Sequence, residues 1–161
     1  DFLHESFLKV NTSIKNKENV VVYNPKKGIK FTKKLIDSAP HIKFLPIENM
    51  TREQVVILLQ KSKVYIDFGF HPGKDRIPRE AAFLECCVIT NKRGSAFFEQ
   101  DVPLLTEYKF DENLSNLTRI VNKIDDCLEN FDSNHAKFEA YRAEIKQQEA
   151  EFETHLKKIF G

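Results

Sequence analysis

Short apolar runs of strand length alternate with helical patterns over the first two-thirds of the chain, the pattern of βαβ units around a parallel sheet buried on both faces. The first run is Val20 to Tyr23, ended by Asn24-Pro25 and followed by Lys26-Lys27-Gly28. A helical stretch with Ile29, Phe31, Leu35 and Ile36 at its apolar positions then extends to about Ser38, where Ala39-Pro40 stops it. The second run, Ile42 to Ile47, leads to Thr51, whose hydroxyl suits a helix cap ahead of Val55, Val56, Leu58 and Leu59. Val64 to Phe68 reads as a third strand and Cys87 to Thr90 as a fourth, with a polar loop from Gly69 to Ile77 and a helix from Pro78 to about Glu85 between them.

A weaker apolar passage runs from about Val102 to Phe110. Asp111 is expected to start a helix with Leu114, Leu117, Ile120, Val121, Ile124 and Leu128 at three- and four-residue spacing, and Asp132-Ser-Asn to break it. A long charged helix follows from about His135 to Phe160, with Phe138, Tyr141, Ile145, Phe152, Leu156 and Ile159 on one side. The expected fold class is therefore α/β: a three-layer, Rossmann-like domain with a mainly parallel sheet and a long C-terminal helix. Its boundaries are expected as a linker over 1–19, the domain over 20–132, and the terminal helix over 133–161, packed on the domain or on a partner domain outside this chain.

Composition narrows the function classes. Lys plus Arg number 25 against 24 Asp plus Glu, a formal charge of +1, so no global field draws the chain to nucleic acid or an anionic membrane, and any anion site is local. The three cysteines have neither disulfide-framework nor zinc spacing, which points to a reduced, cytoplasmic setting with no metal. No apolar run approaches the roughly 20 residues of a membrane span. Because the chain begins with Asp1, it is read as part of a longer protein.

In open parallel sheets ligands bind beyond the carboxyl ends of the strands, so the strand-to-helix loops hold the candidate chemistry. The segment Gly69 to Glu80 combines Gly69 and Gly73 for close backbone approach, Lys74, Arg76 and Arg79 as cations, and Pro78 opening a helix whose amides point back at the loop. These are the ingredients of a pyrophosphate cradle, although the spacing is neither that of a P-loop nor that of a dinucleotide fingerprint. The plainer alternative is a solvated charged loop. Glu80 in the first helical turn is read as gripping a ribose diol, against the alternative of an internal partner for Arg79. Asp67 is read as an acceptor for loop amides, and Cys86 and Cys87 as core packing rather than nucleophiles. His71, beside a proline, is read as packing or hydrogen bonding more readily than contacting a ligand.

The run Pro78-Arg-Glu-Ala-Ala-Phe-Leu-Glu-Cys-Cys-Val-Ile-Thr90 resembles the helix, small-residue turn and following strand in the C-terminal, donor-binding half of GT-B glycosyltransferases of the group 1, family 4-like type. The resemblance spans about residues 20 to 110. It implies a nucleoside diphosphate sugar as donor substrate with no separate cofactor, Glu80 on the ribose, and Lys26 or Lys27 on the pyrophosphate. Lys74 and Arg76 would be the catalytic cations that stabilise the leaving diphosphate, with Gly73 and Arg79 also binding donor. The loop from Pro46 to Met50 would cup the base, and Gly94-Ser95-Ala96 would lie beside the donor. The acceptor, a glycan or lipid-linked sugar, would come through an N-terminal domain outside this chain, in polysaccharide biosynthesis in the cytoplasm or at the inner face of the membrane. One departure stands out: where many retaining members carry a second glutamate, eight positions before Glu80, this chain has Pro72. A non-catalytic nucleotide or sugar-phosphate binding module is the main rival. A receiver-like or flavodoxin-like domain shares the alternation, but a receiver would need an acidic cluster after the first strand, where Asn24-Pro-Lys-Lys stands.

Overall fold

The computed structural model describes residues 14–69, 76–92 and 105–160. Five strands form one sheet in the order β2-β1-β3-β4-β5: β1 (Glu18–Tyr23), β2 (Lys43–Pro46), β3 (Ser62–Asp67), β4 (Cys87–Asn91) and β5 (Lys109–Phe110). Every pairing is parallel, with Val22 opposite Leu45 and Tyr65, and Tyr65 in turn opposite Val88. Among the described residues the expected mainly parallel sheet is thus wholly parallel. The central strands are apolar on both sides, as a sheet covered by helices on both faces requires: Val21, Val22, Val64, Tyr65, Val88 and Ile89 are fully buried.

The helices are α1 (Ile29–Ser38), α2 (Arg52–Lys61), α3 (Arg76–Phe83), α4 (Leu117–Glu129), α5 (Phe131–Ala136) and α6 (Glu139–Phe160). Right-handed crossovers place α1 on one face and α2 and α3 on the other, and α4 returns to pack on α1 and β3. The order of the sheet reverses between β1 and β3, so the crevice where ligands bind in such folds opens at the carboxyl ends of these two strands.

Local chemistry accounts for the boundaries. Thr51 begins α2 through a complete capping box: its hydroxyl accepts from the Gln54 amide while the Gln54 side chain accepts from the Thr51 amide. Helix α3 starts at Arg76, two residues before Pro78, which a first turn tolerates because its amides have no intrahelical partner. It ends in a Schellman turn, with the Cys86 amide donating to Ala81 and the Glu85 amide to Ala82. The residue in the left-handed position is Glu85, at φ 71°, where glycine is usual.

Three expectations are corrected. Asp111 does not start a helix; a single 3-10 turn (Leu114–Asn116) precedes α4, and the Asn116 side chain donates back to the Asp111 carbonyl. The break expected at Asp132–Asn134 falls at Asn130, because Asn134 is buried inside α5, accepting from the Tyr108 hydroxyl at 2.7 Å and donating to Asp126. The terminal helix begins at Glu139 rather than near His135.

The apolar side of that helix divides in two. Phe138, just before α6, is buried with Tyr141 and Ile145, while Phe152, Leu156 and Ile159 are exposed. Residues 14–19, expected as a linker, include Lys17, whose buried ammonium donates to the carbonyls of Leu59, Ser62 and Leu84 at 2.8–2.9 Å. It ties the C-terminal ends of α2 and α3 together at the amino edge of the sheet, opposite the crevice.

Candidate functional site

The loop after β1 is shaped by Asn24, whose side chain accepts from the Lys26 amide at 3.0 Å and whose carbonyl accepts from the Lys27 amide at 3.2 Å. Gly28 then caps α1 in the left-handed conformation, φ 57°. A side chain there is excluded twice over, since a Cβ would stand 2.2 Å from the Phe68 carbonyl oxygen. A Cβ on Gly69 would stand 2.4 Å from that of Lys27. These two glycines let the loops after β1 and β3 touch across the switch point, and they seat the stem of Lys27 against the backbone of Gly69.

The loop after β3 is anchored from both sides. Asp67 accepts from the Gly69 amide at 3.1 Å and from the Tyr65 hydroxyl at 2.9 Å, as the reading of Asp67 as an acceptor for loop amides anticipates. Asn91, buried at the end of β4, donates to the Gly69 carbonyl at 2.7 Å and to the carboxylate of Glu112.

Beside the loop after β1, a recess of about 550 Å³ is lined by Pro25 and Lys26 on one side and Ile47, Glu48, Asn49, Met50 and Thr51 on the other. Its size falls within the range of small-molecule sites. A larger recess, about 710 Å³, lies among Ile14, Lys17, Lys63 and residues 129–133. It borders the amino edge of the sheet, away from the strand ends where ligands bind in this architecture.

Glu80 is wholly buried. Its Oε1 accepts from Arg76 Nε at 2.9 Å and from Arg52 Nη1 at 3.4 Å, and both arginine side chains are 38% exposed. The partner is therefore not Arg79, and a ribose diol would have to displace a guanidinium to reach Oε1. Arg52 was not singled out by the sequence. The one local signal was its place directly after the cap Thr51, in a first turn where a cation is unfavourable, and Glu53 beside it masks that signal.

Arg79 departs from the expected donor contact. It is buried against α6, donating to Gln148 at 2.7 Å with Glu149 at 3.9 Å, so it fastens the terminal helix to α3. One turn of α3 thus makes two links: Arg76 and Glu80 join Arg52 of α2, and Arg79 joins α6. Of the remaining expected donor residues, Lys26 lines the recess and Lys27 lies on Gly69. Gly73, Lys74, Gly94 and Ser95, with His71, Pro72 and Asp75, lie outside the described residues.

The buried cysteines belong to the core. Burial pushes the Cys86 thiol up in spite of Lys17 beside it, and a hydrogen bond with Cys127, reinforced by burial, does the same to Cys87. Raised thiols are poor nucleophiles. No group of three or more metal-ligating side chains occurs among the described residues, and no described helix is long and apolar enough to cross a membrane. No family model matches the chain, and neither a curated protein nor a solved structure does.

Proposed function

We propose that this chain is the donor-binding domain of a GT-B-type glycosyltransferase that takes a nucleoside diphosphate sugar. The observation that carries the reading is the recess between Lys26 and Thr51 at the carboxyl ends of β1 and β2, adjoining a switch point closed by Gly28 and Gly69. A nucleoside fits the half of the recess formed by Ile47 to Thr51, where backbone groups and Met50 offer an apolar and hydrogen-bonding wall. Its diphosphate then runs toward Lys26, Lys27 and Arg76, whose charges offset the local phosphate charge in a protein of net charge +1. The resemblance of Pro78–Thr90 to the donor-binding helix and strand supplies the sugar and the transfer.

In the proposed reaction the bond between the sugar anomeric carbon and the diphosphate oxygen breaks, and the nucleoside diphosphate departs with the electron pair. The acceptor hydroxyl oxygen bonds to that carbon and its proton passes to a base that arrives with the acceptor side. The role of Arg76, with Lys74, is to stabilise charge as it accumulates on the diphosphate, an interaction stronger in the transition state than in the ground state.

The strand order is also that of flavodoxin-like domains, which hold a phosphate at the same switch point, so the nucleotide must be tested and not assumed. A thermal-shift panel separates the readings. Nucleoside diphosphates and their sugars are expected to stabilise the protein more than flavin mononucleotide or free nucleosides. Stabilisation by flavin mononucleotide alone, or by none of the panel, sinks the proposal.

A further inference from the structure

Arg52 and Arg76 come from different βα units yet donate to the same oxygen, Oε1 of Glu80. The Glu80 side chain is 0% exposed and each arginine side chain 38% exposed, so a buried anion is held by two cations that keep part of their surface in solvent. Arg52 is the first residue of α2, at a helix end that favours a negative charge, and Arg76 is the first described residue of α3. Glu53 shares the first turn of α2 with Arg52 and Glu48 lines the recess, so what sets the two arginines apart is not an unbalanced charge but the single buried carboxylate that holds both. Arg52 directly follows Thr51, which lines the recess.

We infer that Arg52 and Arg76 form a two-arginine clamp for the diphosphate, and that Glu80 is the positioning residue that aims them. The inference rests on the donor-binding reading and deepens it: Arg52 becomes a phosphate ligand, and Glu80 acts through the arginines instead of on the ribose. A guanidinium tethered at one nitrogen by a carboxylate has given up part of its side-chain freedom, so less remains to be lost when a phosphate binds at its other nitrogens. The Thr51–Gln54 capping box fixes the backbone from which Arg52 projects.

A purely structural ion-pair link between α2 and α3 has a different signature, because its loss lowers stability without altering anion affinity. Calorimetric titration of the full chain with inorganic pyrophosphate and with a nucleoside diphosphate distinguishes the two, with the ligand-free melting temperature measured alongside. Arg52→Gln is expected to weaken both ligands by about tenfold or more, and Arg52→Lys, which keeps the charge but not the fork, by about threefold. Affinity of Arg52→Gln within about twofold of wild type, with wild type still binding the nucleoside diphosphate, overturns the clamp and leaves the donor-binding reading standing. If Arg52→Gln does not fold, unchanged affinity in Arg52→Lys overturns it equally. Binding of neither ligand by the wild type removes the clamp and the donor-binding reading together.

Discussion

The Asn91 side-chain amide donates to the Gly69 carbonyl at 2.7 Å, joining the end of β4 to the loop that follows β3. Two neighbouring strands are thereby locked at the edge where the candidate site lies, and the loop backbone gains a buried partner that the sheet ladder does not supply. Asn91→Ala removes that donor and leaves the carbonyl buried. A loss of about 1–3 kcal/mol in urea unfolding is expected, accompanied by weaker nucleoside diphosphate binding. Unchanged stability would mean that the Gly69 carbonyl finds another partner.

Gly28 is expected to be the least replaceable residue of the loop after β1. Alanine there costs about 1–2 kcal/mol for the left-handed backbone, and overlap with the Phe68 carbonyl adds about 1–3 kcal/mol. Chemical denaturation of Gly28→Ala checks this, and a stability equal to wild type would show that the two loops do not approach as closely as described.

Lys17 allows stability to be separated from binding. Lys17→Met keeps the aliphatic stem and removes the ammonium shared by the Leu59, Ser62 and Leu84 carbonyls, of which Leu59 and Ser62 still accept from the Cys86 thiol, at a cost of about 1–3 kcal/mol. Since this ammonium stands at the amino edge of the sheet, nucleoside diphosphate affinity measured well below the melting temperature is expected to be unchanged.

The C-terminal helices predict an acid-sensitive stability. Burial alone would push the Glu85 carboxyl up, but its hydrogen bond with His135 and the charges of Arg142, His135 and Lys146 outweigh burial and hold it below the usual carboxylate range. A hydrogen bond from Lys123 acts first in lowering Glu107, and hydrogen bonds from Asn130 and Asn134 in lowering Asp126. A carboxyl depressed in the folded state binds fewer protons than in the unfolded chain. Its contribution is therefore fully present above the unfolded value and is lost as pH falls through the folded one. Urea midpoints are expected to hold steady near neutrality and fall below about pH 4.5, with a shallower fall in Glu85→Gln. A midpoint that rises on acidification would contradict this.

The parts of the fold that depend on short-range pattern were legible in the sequence. Continuous valine runs mark strands buried on both faces, Thr51 marks a capped helix, and Ala39-Pro40 marks a stop; each of these signals is confined to a few neighbouring residues. Asn134 shows where such reading fails. Its side chain looks like a helix breaker until Tyr108 and Asp126 are brought beside it, and those contacts cannot be read from local spacing. The same limit governs the site. Lys26 and Arg76 were identified by proximity to strand ends, whereas Arg52 meets Glu80 and Arg79 meets Gln148 only across separations of 28 and 69 residues. Glutamate at the left-handed position 85 likewise has a tertiary cause, for its carboxylate engages Arg142 and His135, offsetting the strain that glycine would avoid.

The crevice at the ends of β1, β2 and β3 is proposed to hold a nucleotide by its diphosphate. Isothermal titration of the wild-type chain with one nucleoside, its monophosphate and its diphosphate, repeated at low and high salt, tests this most directly. The account predicts affinity rising at each phosphate added, by about tenfold or more from monophosphate to diphosphate, with a dependence on salt that grows with phosphate number. Equal affinity for all three ligands, or binding of none, would contradict it.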